Sequence, residues 1–333
     1  MESFHNRSFL ANATMPVTHT LTEVKWTPSL IGQAVVFGLS FVSNVVVFVE
    51  FVRVPSRLTP FTMYLLVLLA TNIAFLISVP LIEMLNELYG HWWMGRVWCN
   101  IHNYFNGVVS AAQICVHVTI SINRLWAVHY PISYKNHHNK KVALITSFAA
   151  IAFANVVGLP GCIRDALYFS IDLKYGCHIN YSAQMLWGQI QQTLLHILPL
   201  VFIIIAYIHL CVNRIRRKRK LQDHSSSGSR NAAATAADAG ATSAEKNKTG
   251  KTTKEAVKPF LVLSLTAISV TICWTPAVIY FGAIIFSGSW MSGTFFIVSV
   301  TFYSLQALVD PWLFAFGLLA VKKNWNSIRC PGC

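Results

Sequence analysis

Asp310 lies in the middle of an apolar stretch, and no other acid in the chain is so placed. A lone carboxylate in such surroundings is costly, so it must be hydrogen-bonded, neutralised or matched by a cation. Arg124 closes a second apolar stretch that also holds Asn103, Asn106, Gln113 and His117. Polar side chains of this kind usually turn towards neighbouring helices or a cavity rather than towards lipid. The chemistry open to these residues is charge placement and hydrogen bonding. No catalytic constellation is visible, so neither enzymatic activity nor a cofactor is expected. The twelve histidines show no metal-ligand spacing. His117 and His196 read as satisfied core residues, and His129, His137 and His138 as solvated ones.

The elements that must position these residues are long and apolar. Of 333 residues, 54% are hydrophobic and 11% charged, where an ordinary soluble domain carries about 25% charged residues. That balance excludes a soluble enzyme and a disordered chain. A helix needs roughly 20 apolar residues to cross a bilayer. Seven stretches qualify: Leu30–Val52, Pro60–Met84, Asn100–Arg124, Val142–Ile163, Met185–Val212, Pro259–Phe286 and Thr294–Leu319. The alternating period of a membrane barrel is absent. The expected fold is therefore all-α, a seven-transmembrane helix bundle. Leu318, Leu319, Val321, Trp325 and Ile328, with Lys322 and Lys323, suggest a short amphipathic eighth helix on the inner membrane surface. Residues 1–28 form an N-terminal tail, 29–320 the transmembrane domain and 321–333 a C-terminal tail. Residues 1–27 contain no apolar signal core, so the first span is expected to act as an uncleaved anchor.

The net charge of +14 raises the question of nucleic acid, and the placement of the charge answers it. One side of the membrane carries five Lys and Arg and the other twenty-one, or nine without the long loop 214–258. The richer side is cytoplasmic by the positive-inside rule, which puts the N-terminus outside and the C-terminus inside. The run Arg214–Lys220 then lies just inside span five, where it meets anionic lipid. No nucleic-acid partner is expected. Sequons at Asn6, Asn12 and Asn180 fall on the outer side. Cys99 and Cys177 lie in outer stretches and are free to pair in an oxidising compartment. The middle of the long loop is rich in Ala, Ser and Thr and reads as mostly disordered. Cys330 and Cys333 are candidates for palmitoylation.

Motifs recur one per span. Span one holds Ser43-Asn44 and span two Leu69-Ala70-Thr71-Asn72. Span three opens at Cys99 and closes at Asn123-Arg124-Leu125, with Trp93-Met94-Gly95 before it and Tyr130-Pro131 after it. Span five holds Pro199 and Tyr207, span six Cys273-Trp274-Thr275-Pro276, and span seven Asp310-Pro311-Trp312-Leu313-Phe314. In this order the set resembles the rhodopsin-like (class A) G-protein-coupled receptors from about Ser29 to Cys330, the long loop apart.

The resemblance implies a cell-surface receptor in the plasma membrane that binds an extracellular ligand and activates heterotrimeric G proteins. It makes Arg124 the contact for the G protein, with Tyr207 as its active-state partner, and couples Trp274 to a kink at Pro276. Pro199 and Pro311 allow further kinks. It implies that a Cys99–Cys177 disulfide ties the outer loop to span three. The pocket it implies is aromatic and neutral-polar: His102, Asn103, Asn106, Gln191, Trp274, Phe281 and Tyr303. A neutral small molecule, a lipid or a peptide end fits that lining. Asn106 stands where amine receptors hold their cation, so a biogenic amine is not expected, and Ser304 stands where opsins carry retinal.

Several positions depart from the family pattern. Asn123 replaces the acid before Arg124, and a neutral amide cannot make the charge-assisted bond that is roughly twice as strong. Ala256 stands at the usual acidic position of span six. Both changes weaken the resting state and suggest raised basal activity. Asn72 and Asp310 look exchanged, as if they face each other in a polar pocket with Asn44, with a sodium ion as a candidate occupant near Asp310. Gln113 crowds that pocket. Ala150, Val270 and Phe314 replace usual aromatic residues. Asn123, Leu125 and Phe314 keep open an alternative, a receptor-like ligand-binding protein that does not signal through G proteins but acts as a scavenger or heteromer partner.

Overall fold

The structure, a computed structural model, describes residues 26–54, 58–173, 176–235, 246–288 and 293–328, with backbone alone at 218, 220–235, 246–263, 293, 296–297 and 317–328. Span one is α1 (Pro28–Arg53). The Thr27 hydroxyl caps it by accepting from the Leu30 amide at 3.1 Å, and Pro28 needs no donor in the first turn. Thr59 caps α2 (Pro60–Ser78) in the same way, accepting from the Thr62 amide at 3.2 Å. Pro80 lacks an amide hydrogen and disfavours helix at Val79, so α2 ends there and α3 (Pro80–Tyr89) restarts. Gly90, at φ 71°, closes α3 in the left-handed conformation. Span two therefore continues past Met84, and α3 carries Glu83 and Glu87.

Span three is α4 (Gly95–Tyr104), a π turn at Phe105–Val109 and α5 (Ser110–His129). After the short α6 (Pro131–His137), the Asn139 side chain caps α7 (Lys140–Arg164), which ends in a second π turn, Asp165–Phe169. Span five is α8 (Met185–Gln192), a third π turn at Thr193–Ile197 and α9 (Leu198–Thr235). That turn immediately precedes Pro199, which cannot donate to the usual carbonyl four residues back. Spans six and seven are α10 (Lys246–Ser287) and α11 (Gly293–Ile328), with Pro276 and Pro311 inside them.

The helices close a ring around α5, which packs on α2, α7 and α9. In turn α1 packs on α2 and α11, and α10 on α11 and α9. Gly161 lets the Trp187 indole lie against α7, where a Cβ would meet the ring at 1.9 Å. The Trp187 ring N–H donates to the Val157 carbonyl at 3.1 Å. Ile31, Val35, Val42, Ile145, Phe148 and Val156 stand exposed on the outer faces of α1 and α7, as a lipid-facing wall requires. Six helices are long and apolar enough to cross a membrane among the described residues, and α11 completes the bundle. The protein is a multi-pass membrane protein.

Two regions differ from the sequence reading. The backbone is helical from Arg214 to Thr235 and again from Lys246, where composition suggests disorder. Alanine, lysine and arginine have high helix propensity and can carry the neighbouring helix outward. The expected eighth helix is not separate, because α11 runs unbroken to Ile328. No proline interrupts Gly317–Ile328 to force a turn.

Candidate functional site

Asp310 is fully buried in α11 and its two oxygens are differently matched. Gln306, one turn earlier, donates to Oδ1 at 2.6 Å. Asn72 donates to Oδ2 at 3.2 Å, and His117 Nε2 stands 3.3 Å from the same oxygen. The His117 ring is not aligned for a hydrogen bond, so the two groups meet without one. Asn72 gives its second amide hydrogen to Asn44 Oδ1 at 3.2 Å and accepts from Gln113 at 2.8 Å. Asn44 donates to the carbonyls of Ser40 at 2.8 Å and Ala307 at 2.6 Å. The Ala307 bond follows from Pro311, which cannot supply the helical donor that Ala307 would otherwise receive. Spans two, three and seven thus meet on one carboxylate, span one joins through Asn72, and Asn72 and Asp310 face each other.

His117 is the residue that sequence reasoning undervalued. Its signal was its spacing. It lies four residues after Gln113 and seven before Arg124, on one helical face. The same geometry bears on the expectation of sodium near Asp310. The carboxylate oxygens face N–H groups from Gln306 and Asn72 and the nitrogen of His117, whereas hard cations take oxygen ligands. The set does not fit a sodium ion.

At the far end of α5 the pattern reverses. The Arg124 guanidinium carbon lies 3.5 Å above the centre of the Phe61 ring, a cation–π contact. Arg124 Nε is buried and has no hydrogen-bond partner. Asn123 is 2% exposed, and neither its Nδ2 nor its Oδ1 has a partner. Arg124 and Tyr207 line one cavity of about 200 Å³ together with His117, Ile203, Ser264 and Val270. Nearby, α9 is tied to the end of α5. His209 and His129 approach to 2.7 Å, and Arg217 donates to the Val128 carbonyl at 2.8 Å. His129 is therefore paired as well as exposed.

At the opposite end, a disulfide joins Cys99 of α4 to Cys177 in the connection before α8. Buried His102 faces the Ser78 carbonyl at 3.2 Å and Glu83 at 3.9 Å. Asn103 is buried one turn from Cys99. Gln191 donates to the Gly107 carbonyl at 3.4 Å, beside exposed Asn106. Deeper, Tyr303 meets the Trp274 ring edge-on at 4.7 Å. Phe281 stands 38% exposed against buried Tyr280. Asn180 has its amide engaged within its own loop, donating to the Phe169 carbonyl at 3.2 Å and accepting from Ser182 at 2.6 Å. Asn6, Asn12, Cys330 and Cys333 lie outside the described residues.

The model of the seven-transmembrane receptors of the rhodopsin family matches residues 43–314. The chain belongs to that family. It is 24% identical to G-protein coupled receptor 161 of Danio rerio, over 66% of this chain and 41% of that one. It is 27% identical to "Probable G-protein coupled receptor 19" of Homo sapiens, over 39% and 30% of the two chains. It is 24% identical to somatostatin receptor type 5 of Rattus norvegicus, over 53% and 48%. The chain spans less than half the length of these curated relatives.

Within the receptor, the replaced aromatics have clear local settings. Phe314 is buried in one apolar cluster with Phe51, Leu68 and Ile120. Val270 packs with Ile114, Ile203 and Trp274 beneath the Pro276 turn. Ala150 lines an apolar groove of about 530 Å³ between α5, α7 and α9.

Proposed function

We propose that this receptor binds an extracellular ligand at its disulfide end and activates heterotrimeric G proteins at its Arg124 end. The observation that carries the reading is the cavity shared by Arg124, Tyr207 and His117. It offers a G-protein contact on one side and reaches the polar core on the other. Trp274 lies two residues before Pro276, and its ring touches Tyr303 of α11. A ligand pressing on that pair moves α10 about its proline, and the cavity wall formed by Ser264, Ala267 and Val270 moves with it. The N-terminus is outside, the basic run after span five rests on anionic lipid, and the ligand is a neutral small molecule, a lipid or a peptide rather than a biogenic amine.

Raised basal activity belongs to the same reading. Among the described residues no acid pairs with Arg124, and unpartnered Asn123 does not hold it. The test is ligand-free G-protein activation in cells, wild type against Arg124→Ala at matched surface expression, across a panel of G-protein subtypes. A basal signal that falls in the variant supports the reading. The second reading, a receptor that binds without signalling, draws on buried Phe314, which lacks a hydroxyl. Ligand binding with no signal from any subtype would favour it.

A further inference from the structure

We infer that His117 supplies the cation of the transmembrane core: the His117–Asp310 pair holds a proton that neutralises the carboxylate, and stability of the receptor is in consequence indifferent to sodium. The inference goes beyond the signalling function proposed above and is tested without it.

Asp310 is 0% exposed and His117 is 2% exposed. A full charge in that setting must be compensated, because an uncompensated buried ion is strongly destabilising. Each element packed around the carboxylate presents its polar groups. These are Asn44 from α1, Asn72 from α2, Gln113 and His117 from α5, Cys273 and Ser269 from α10 and Gln306 from α11. The amides stabilise a carboxylate by hydrogen bonds but add no net charge. The only group among them that can carry a positive charge is His117. Arg124, two turns further along α5, is engaged with the Phe61 ring. The oxygens of Asp310 face nitrogen throughout, so the matching charge arrives on an imidazole rather than on a metal ion. Because His117 also lines the cavity of Arg124 and Tyr207, this pair forms the boundary between the core and the Arg124 end.

The experiment uses the full chain purified in detergent. Thermal unfolding is followed in sodium chloride and in N-methylglucamine chloride at equal ionic strength. Wild type is expected to melt at the same temperature in both. His117→Leu strands the carboxylate and is expected to lower the midpoint by roughly 5 °C or more. Asp310→Asn is milder, because a neutral imidazole can remain buried. The double variant His117→Leu/Asp310→Asn recovers more than half of the His117→Leu loss, although it removes more of the native polar groups. If His117→Leu yields no protein, the same order is read as surface expression in cells. A wild-type midpoint that rises in sodium overturns the inference, and so does a double variant as damaged as the sum of the single ones.

Discussion

The polar core and the Arg124 end sit on one helix, two turns apart, yet they are built on opposite terms. In the core, Asp310 is reached by Gln306, Asn72 and His117, and Asn72 is itself held from both sides. At the Arg124 end, the charged group leans on an aromatic face and its neighbour Asn123 has no partner at all. Hydrogen bonds between buried polar groups rigidify a structure, and buried groups left unpaired leave free energy to be gained by rearrangement; the core keeps two such atoms, His117 Nε2 and Gln306 Oε1, beside its amide bonds. The difference teaches where this molecule is locked and where it is ready to move. Spans one, two, three and seven are joined through the core, whereas the Arg124 guanidinium rests on the Phe61 ring and its Nε has no partner.

Four substitutions test that contrast, starting in the core. Asn72→Asp places two carboxylates where an amide and a carboxylate stood 3.2 Å apart. It should cost about 3 kcal/mol or more and abolish most surface expression, whereas the exchange Asn72→Asp/Asp310→Asn should restore most of it. Flow cytometry of tagged receptor measures both, and additive damage would count against a paired arrangement. Asn44→Ala comes next. It leaves the Ala307 carbonyl and one Asn72 hydrogen unpaired, which should cost about 1–3 kcal/mol, read as a lowered melting temperature.

At the Arg124 end the expected effects move signalling more than stability. Asn123→Asp gives Arg124 a charge-assisted partner, and ligand-free signalling should fall several-fold with little change in melting temperature. An unchanged basal signal sinks the idea of a weakened restraint. Phe61→Leu removes the ring beneath the guanidinium and should cost only about 0.5–1 kcal/mol. A large loss of stability there would mean that the Arg124 end is as tightly held as the core.

The spans were legible because their length is a requirement of the bilayer, and the helix starts at Thr27-Pro28 and Thr59-Pro60 carry their own caps. The break at Val79-Pro80 was equally present in the residues, but a hydropathy window runs across it and misses α3. The helical continuation into Arg214–Thr235 was hidden because low hydrophobicity says nothing about helix propensity. Within the site, the exchange of Asn72 and Asp310 followed from the motifs. The partnership of His117 did not, since it depends on how α5 is rotated against α11.

What the sequence determined by itself was therefore the all-α membrane architecture, the family motifs and the fact that Asp310 needs compensation, because those follow from local composition and from the cost of charge away from water. Only the tertiary structure decided which group compensates it. Packing brings His117 Nε2 to 3.3 Å from Asp310 while leaving Asn123 with no partner. Distances between side chains on different helices are set by helix rotation and close packing, and neither is written in the spacing along a single chain.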